Sequence, residues 1–261
     1  LAHAHGAPIL LVAQSSLPSG VASEISRLRA TKAIVIGGEG AVSESVVSAL
    51  RSRGLTVQRI AGGNRYDTAA EIALALRTTL GVSAFDKAYI ATGENFPDAL
   101  AAGGVAAVDG APILLVRRTV LPAETGSALR ALGVKRTVVL GGSGAVSTAV
   151  ASMLPNPTRV AGGDRYDTGV RVAKYALATI PGFSSSTVYL STGANYPDAL
   201  AAGAASAVTR NPVILVPGTS VPQTVSTFIV SQKSSVRAIK ALGGTTVVSD
   251  SVVQAVKNLL K

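Results

Sequence analysis

Arg59-Ile60-Ala61-Gly62-Gly63-Asn64-Arg65-Tyr66-Asp67-Thr68 returns one hundred residues later as Arg159-Val160-Ala161-Gly162-Gly163-Asp164-Arg165-Tyr166-Asp167-Thr168. Three further motifs keep nearly the same register. Ala91-Thr92-Gly93-Glu94-Asn95-Phe96-Pro97-Asp98-Ala99-Leu100 matches Ser191-Thr192-Gly193-Ala194-Asn195-Tyr196-Pro197-Asp198-Ala199-Leu200. Ala7-Pro8-Ile9-Leu10-Leu11-Val12 is identical to Ala111–Val116 and close to Asn211–Val216. Ile34-Val35-Ile36-Gly37-Gly38 matches Val138–Gly142 and Lys240–Gly244. Four motifs in one register define an internal repeat, and a repeat decides the architecture before any single element does.

Every motif has the same local form. A short β-branched run meets a Gly or Pro turn, and a helical stretch follows. Ile34–Ile36 predicts a buried strand, Gly37-Gly38 a turn, and Ser43 the cap of a helix over Glu44–Arg51. Ile60 ends a strand, and Asp67 or Thr68 is expected to cap a helix around Ala69–Arg77. Tyr89–Ala91 and Leu10–Val12 are expected strands. Pro97 suits a first helical position, where its missing N–H costs nothing. Ten strand–helix steps follow, and strands alternating with helices imply parallel sheets with crossovers. The expected fold class is therefore α/β: tandem Rossmann-like or flavodoxin-like parallel-sheet repeats. Ala99–Val108 and Ala199–Val208 carry no charge inside them, so they predict helices buried between units. The only joints are the short stretches Thr56-Val57 and Asn156-Pro157.

Composition narrows the function classes. Of 261 residues, 48% are hydrophobic and 15% charged, which supports a packed core. The long apolar stretch from Ala99 is broken by Asp109, Gly110 and Pro112 before Val116, so no membrane span is expected. There is no cysteine, hence no disulfide or thiol chemistry. The net charge of +10 favours a polyanionic partner. Without dense Lys/Arg runs, nucleic acid is not expected. His3 and His5 are the only histidines and make no metal site, no Ser-His-Asp or Cys-His system can be assembled, and no cofactor is expected. Gly37-Gly38-Glu39-Gly40 lacks the glycine spacing of a nucleotide loop.

These motifs together resemble the type 2 cell wall-binding repeat of Gram-positive surface-layer-associated proteins and autolysins. The resemblance covers essentially the whole chain. It implies three repeats about a pseudo-threefold axis that hold an anionic cell-wall polymer non-covalently, in a secreted protein at the cell surface. It divides the chain into a first repeat at 1–57, lacking its N-terminal half, a second at 58–157 and a third at 158–261. Leu1 aligns with Val105 and Ala205, so the first repeat begins inside a helix. The apolar surface and sheet edge left by the missing half invite self-association.

The candidate polymer-binding residues are Arg59, Arg65, Tyr66 and Asn95, with Arg159, Arg165, Tyr166 and Asn195. The arginines sit beside glycine turns at strand ends, where parallel sheets gather ligands, and Arg suits a carboxylate or phosphate fork. The plainer reading pairs them with Asp67, Asp98, Asp167 or Asp198 to fix turns. Those four aspartates are expected as structural caps, because they recur in equivalent settings while a catalytic pair needs two different ones. Tyr66, Tyr166, Phe96 and Tyr196 could stack on sugar rings or plug the core top. The expected role is anchoring, not catalysis. Two alternatives stand beside it: a Rossmann-like enzyme or phosphoryl-ligand-binding protein with one dominant pocket, and a protein–protein docking module of a surface layer.

Overall fold

A computed structural model describes residues 1–261. After a single 3-10 turn at His3–His5, helices and strands alternate as the repeat predicts. The first unit holds α1 (Ser19–Arg27), β1 (Lys32–Ile36), α2 (Glu44–Arg51) and β2 (Thr56–Ile60). The middle of the chain runs α3 (Arg65–Leu80), β3 (Lys87–Thr92), α4 (Pro97–Val108), β4 (Ile113–Val116), α5 (Ala123–Ala131), β5 (Arg136–Leu140), α6 (Thr148–Ser152) and β6 (Pro157–Val160). The last part repeats the scheme with α7 (Arg165–Thr179), β7 (Thr187–Thr192), α8 (Pro197–Thr209), β8 (Val213–Val216), α9 (Gln223–Ser231), β9 (Ala238–Ala241) and α10 (Asp250–Asn258). No helix is long and apolar enough to cross a membrane.

All pairings are parallel, in three sheets ordered β1-β2, β4-β3-β5-β6 and β8-β7-β9. The fold is thus α/β, in tandem units. The short joints expected at Thr56-Val57 and Asn156-Pro157 lie in or beside strands. Thr56 and Val57 open β2, which pairs with β1, and Pro157 opens β6, which pairs with β5. β2 and β6 thus extend the sheets of β1 and β5, and the chain turns from each into the long helices α3 and α7.

The uncharged helices do pack between units. Helix α4 lies along α8 and also against α7. A Cβ on Gly104 would collide with Ser206 Oγ and lie 3.2 Å from the Gly203 carbonyl oxygen, so the absence of a side chain there sets how closely the helices approach. At the opposite end of the strands, Lys87 donates to Asp109 at 2.6 Å and Tyr89 Oη donates to the same Oδ2 at 2.7 Å. Tyr175 of α7 closes this cluster edge-on to Tyr89. Burial beside Asp109 pushes the Tyr89 phenol far above its ordinary pKa.

One expected strand is absent. Leu10–Val12 is in no sheet. Its counterparts β4 and β8 pair with β3 and β7, and these 261 residues hold no third strand of that type. Nine strands form instead of the ten expected.

Candidate functional site

The glycine loops cluster at the carboxyl ends of the parallel strands. Between them lies an open trough of about 510 Å³, with a single hydrophobic residue in its lining. Three segments build it: Thr92–Asp98 after β3, Gly142–Ala145 after β5, and Gly162–Thr168 after β6. A second trough of about 570 Å³ repeats the last two walls with Gly37–Ala41 and Gly62–Thr68. The Asn-x-Pro-Asp wall is missing there, and Ile72 and Leu115 line the gap.

The capping differs from expectation. Helices α3 and α7 begin at Arg65 and Arg165, and their caps are Asn64 and Asp164. Each Oδ1 accepts from the next two free amides, Tyr66 N and Asp67 N at 2.9 and 3.0 Å, Tyr166 N and Asp167 N at 2.8 Å. Asp67 and Asp167 are not caps. Their Oδ2 atoms accept from Gly63 N and Gly163 N, and Thr68 and Thr168 hold Gly62 N and Gly162 N at 3.0 Å. An Asx residue three positions before an acid was the available signal, a close relative of the capping box. Asp98 and Asp198 lie in the first turns of α4 and α8 as expected, but neither makes a side-chain cap bond.

All four site arginines turn toward loop carbonyls, not toward the aspartates. Arg59 donates to Gly37 O and Val42 O at 2.7 and 2.8 Å, and Arg159 to Gly141 O and Val146 O at 2.6 and 2.9 Å. These two brace the glycine loops from beneath. Arg65 and Arg165 donate to Gly93 O and Gly193 O, while Arg65 lines the second trough and Arg165 the first. Asn95 lines the first trough. Its Oδ1 accepts from Phe96 N, which leaves its amide N–H groups for a ligand; exposed Asn195 repeats the bond with Tyr196 N. The Tyr66 ring is buried beneath Arg117, so it fills the core top and offers no face to a sugar. Tyr166 is half-buried, and Phe96 meets Tyr196 edge-on at 5.8 Å where α4 and α8 begin.

The charge of the first trough is the main departure from a simple anion site. Glu94, Asp98 and Asp164 line it against one guanidinium, that of Arg165. Burial raises the Asp98 carboxyl above the ordinary carboxylate range, and the charge of Arg165 opposes that rise. The basic surplus lies elsewhere. Residues 1–57 hold five basic against three acidic side chains, 58–157 nine against seven, and 158–261 ten against four. Polar walls with carboxylates, amides and one Arg suit a polyhydroxylated ligand, while the basic surplus of residues 158–261 favours an acidic partner. No group of three or more His, Asp or Glu side chains is placed to hold a metal ion.

The family model for cell wall binding domain 2 (CWB2) matches residues 1–47, 59–151 and 159–253. N-acetylmuramoyl-L-alanine amidase LytC of Bacillus subtilis (strain 168) is 34% identical over 258 residues, 99% of this chain and 49% of LytC. Among solved structures, Cwp6 from Clostridium difficile superposes with a TM-score of 0.86 at 27% identity, covering 100% of this chain and 41% of that one. Cwp8 from Clostridium difficile shares the fold at a TM-score of 0.82 and 24% identity, covering 99% of this chain and 44% of its own. The chain thus spans about half or less of each of these relatives.

Proposed function

The chain belongs to the cell wall binding domain 2 family, and on that premise we propose that it anchors a protein to the bacterial cell wall by gripping an anionic secondary polymer, a glycopolymer or a teichoic-type chain. The place of action is outside the cell, on the wall. The observation that carries this reading is the repeated, polar, open trough at the strand ends, in a protein whose net charge is +10. Sugar hydroxyls would meet Glu94, Asn95, Asp98 and Asp164, and acidic groups the arginines and lysines of the third unit. Asn195, Arg65 and Arg165 repeat these contacts along the body. Each contact is weak, and linkage of several on one polymer supplies the strength.

The test is sedimentation of the 261-residue protein with purified walls, before and after anionic secondary polymers are stripped, across a salt series. Binding is expected to vanish with the polymer and to weaken as salt rises, because exposed charges are screened. Binding that survives both treatments would overturn the reading in favour of peptidoglycan or a protein partner.

A further inference from the structure

The turn after β4 carries two adjacent arginines that its counterparts do without. Arg117-Arg118 stands where the first unit has Ala13-Gln14 and the third has Pro217-Gly218. The turn is tied down in the same way in all three. Arg118 O accepts from Ser147 N at 2.9 Å, Gln14 O from Ser43 N at 2.8 Å and Gly218 O from Ser249 N at 3.0 Å. These are backbone bonds, so no particular side chain is needed to form them. The fold therefore does not account for the two guanidiniums. In the third unit a Cβ on Gly218 would lie 2.8 Å from the Val247 carbonyl oxygen, so that turn could not carry the same pair unchanged.

The surroundings suit a bound anion. Arg117, Arg118 and Arg65 are exposed, and none of the three joins an ion pair. The Arg117 guanidinium lies over the buried Tyr66 ring, 5.1 Å from its centroid, a stack that steadies the planar group and leaves its edge to donate. Arg65 borders the same ring: a Cβ on Gly93 would meet Tyr66 Cε1 at 2.6 Å and Arg65 Cδ at 3.3 Å. The backbone is held too, by Arg117 N donating to Val120 O at 3.1 Å and Arg118 N to Glu94 Oε2 at 3.3 Å. Both neighbouring carboxylates are engaged, Glu94 by that amide and Glu124 by the Asn64 side chain at 2.8 Å. Three guanidiniums against two carboxylates leave a positive excess. The turn also joins the two troughs, since Glu94 lines the first while Arg65 and Leu115 line the second.

We propose that Arg117 and Arg118, with Arg65 beside them, form an anion-binding ridge between the troughs that takes an acidic group of the wall polymer, a phosphodiester or a carboxylate. The inference rests on the polymer-binding reading and adds to it a site in the second unit, outside the repeated motifs. Sugars on either side of the acidic group lie in the troughs, and the ridge sets the register at which a charged unit falls between them. Arginine fits this place better than lysine, because a planar fork can stack on Tyr66 and still bind two oxygens. The pair occurs in one unit of three, so the ridge is a single site that differs in kind from the repeated contacts.

The test compares two variants of equal net charge in sedimentation with purified walls, before and after the anionic polymers are stripped. Arg117→Gln with Arg118→Gln removes charge from the ridge. Lys233→Gln with Lys257→Gln removes the same charge just after α9 and in the last turn of α10, from exposed side chains that line neither trough. The ridge variant should bind unstripped walls about tenfold more weakly than the parent and depend less on salt, and the lysine variant should stay within about twofold. Arg117→Lys with Arg118→Lys, which keeps the charge, should recover only part of the loss. A ridge variant that binds like the parent, or equal losses in the two glutamine variants, overturns the ridge and leaves polymer anchoring in place. Parent binding that survives stripping overturns both. Titration with a glycerol-phosphate oligomer and with an oligogalacturonate of equal charge identifies the acidic group. The ligand whose affinity falls about tenfold in the ridge variant is the one the ridge takes, and a fall for neither overturns the proposal.

Discussion

Ala7–Val12 and Ala111–Val116 are the same six residues, Ala-Pro-Ile-Leu-Leu-Val, in two settings. The second copy is β4, with Leu114 and Val116 sealed in a core that α3 and α5 cover. The first forms no ladder and leaves Leu10 and Leu11 open to solvent. Their propensities are equal, so propensity does not decide the outcome. A strand needs a neighbour to take its amides and carbonyls, and β3 is that neighbour for β4 alone. The hexapeptide encodes readiness to be a strand, and the residues beside it determine whether it becomes one.

The sharpest way to break this comparison is to make one change in both copies. Leu114→Ala removes a fully buried side chain and should cost about 2–5 kcal/mol in urea unfolding. Leu10→Ala should cost under about 1 kcal/mol, since a third of that side chain already meets water. Equal losses would mean that the first segment is packed as tightly as β4, contrary to its exposure.

A smaller contrast lies in the glycine loops. Gly37 and Gly141 both have positive φ, 105° and 87°. Alanine at either position should cost about 1–2 kcal/mol from backbone strain alone. Gly141→Ala must also displace the Asp98 carboxylate, whereas Gly37→Ala only presses Ala41 at 3.0 Å. Urea titrations should therefore find Gly141→Ala the more damaging, and the reverse order would remove the aspartate cradle from the account.

Much of the fold could be read from the chain because the signals were local and repeated. The helix over Glu44–Arg51 begins and ends where its pattern predicts, and Pro97 opens α4 as its missing amide requires. The uncharged Ala99–Val108 and Ala199–Val208 pack on each other, as their composition implies. The errors share a different cause. Asn64 holds two amides at once, so α3 starts at Arg65, four residues before the expected Ala69, with neither Asp67 nor Thr68 as its cap. The stretches at residues 56 and 157 open strands because β1 and β5 supply pairing partners that a local pattern does not show. At the site, the repeat located the arginines at strand ends, yet only the carbonyls of Gly37, Gly93, Gly141 and Gly193 determine which way they turn. Direction is a tertiary property, and a periodic pattern carries position alone.

The finest difference between the two troughs is one carboxylate, present at Asp98 and without a counterpart beside Gly37. Burial raises the Asp98 pKa, so the folded state holds that proton more tightly than the unfolded chain. Its stabilising contribution is full below the unfolded pKa and is lost as pH rises through the raised folded value. Asp98→Asn cannot titrate. In paired urea titrations from about pH 3 to 7, the stability of Asp98→Asn relative to the parent should grow across the carboxylate range and then level off. The effect should be smaller than the glycine contrast, because Arg165 compensates part of the buried charge. Gly141→Ala, by expelling the same carboxylate into water, should flatten the same slope, and Gly37→Ala should leave it intact. A slope that persists in Asp98→Asn would belong to another group and would detach Asp98 from the difference between the troughs.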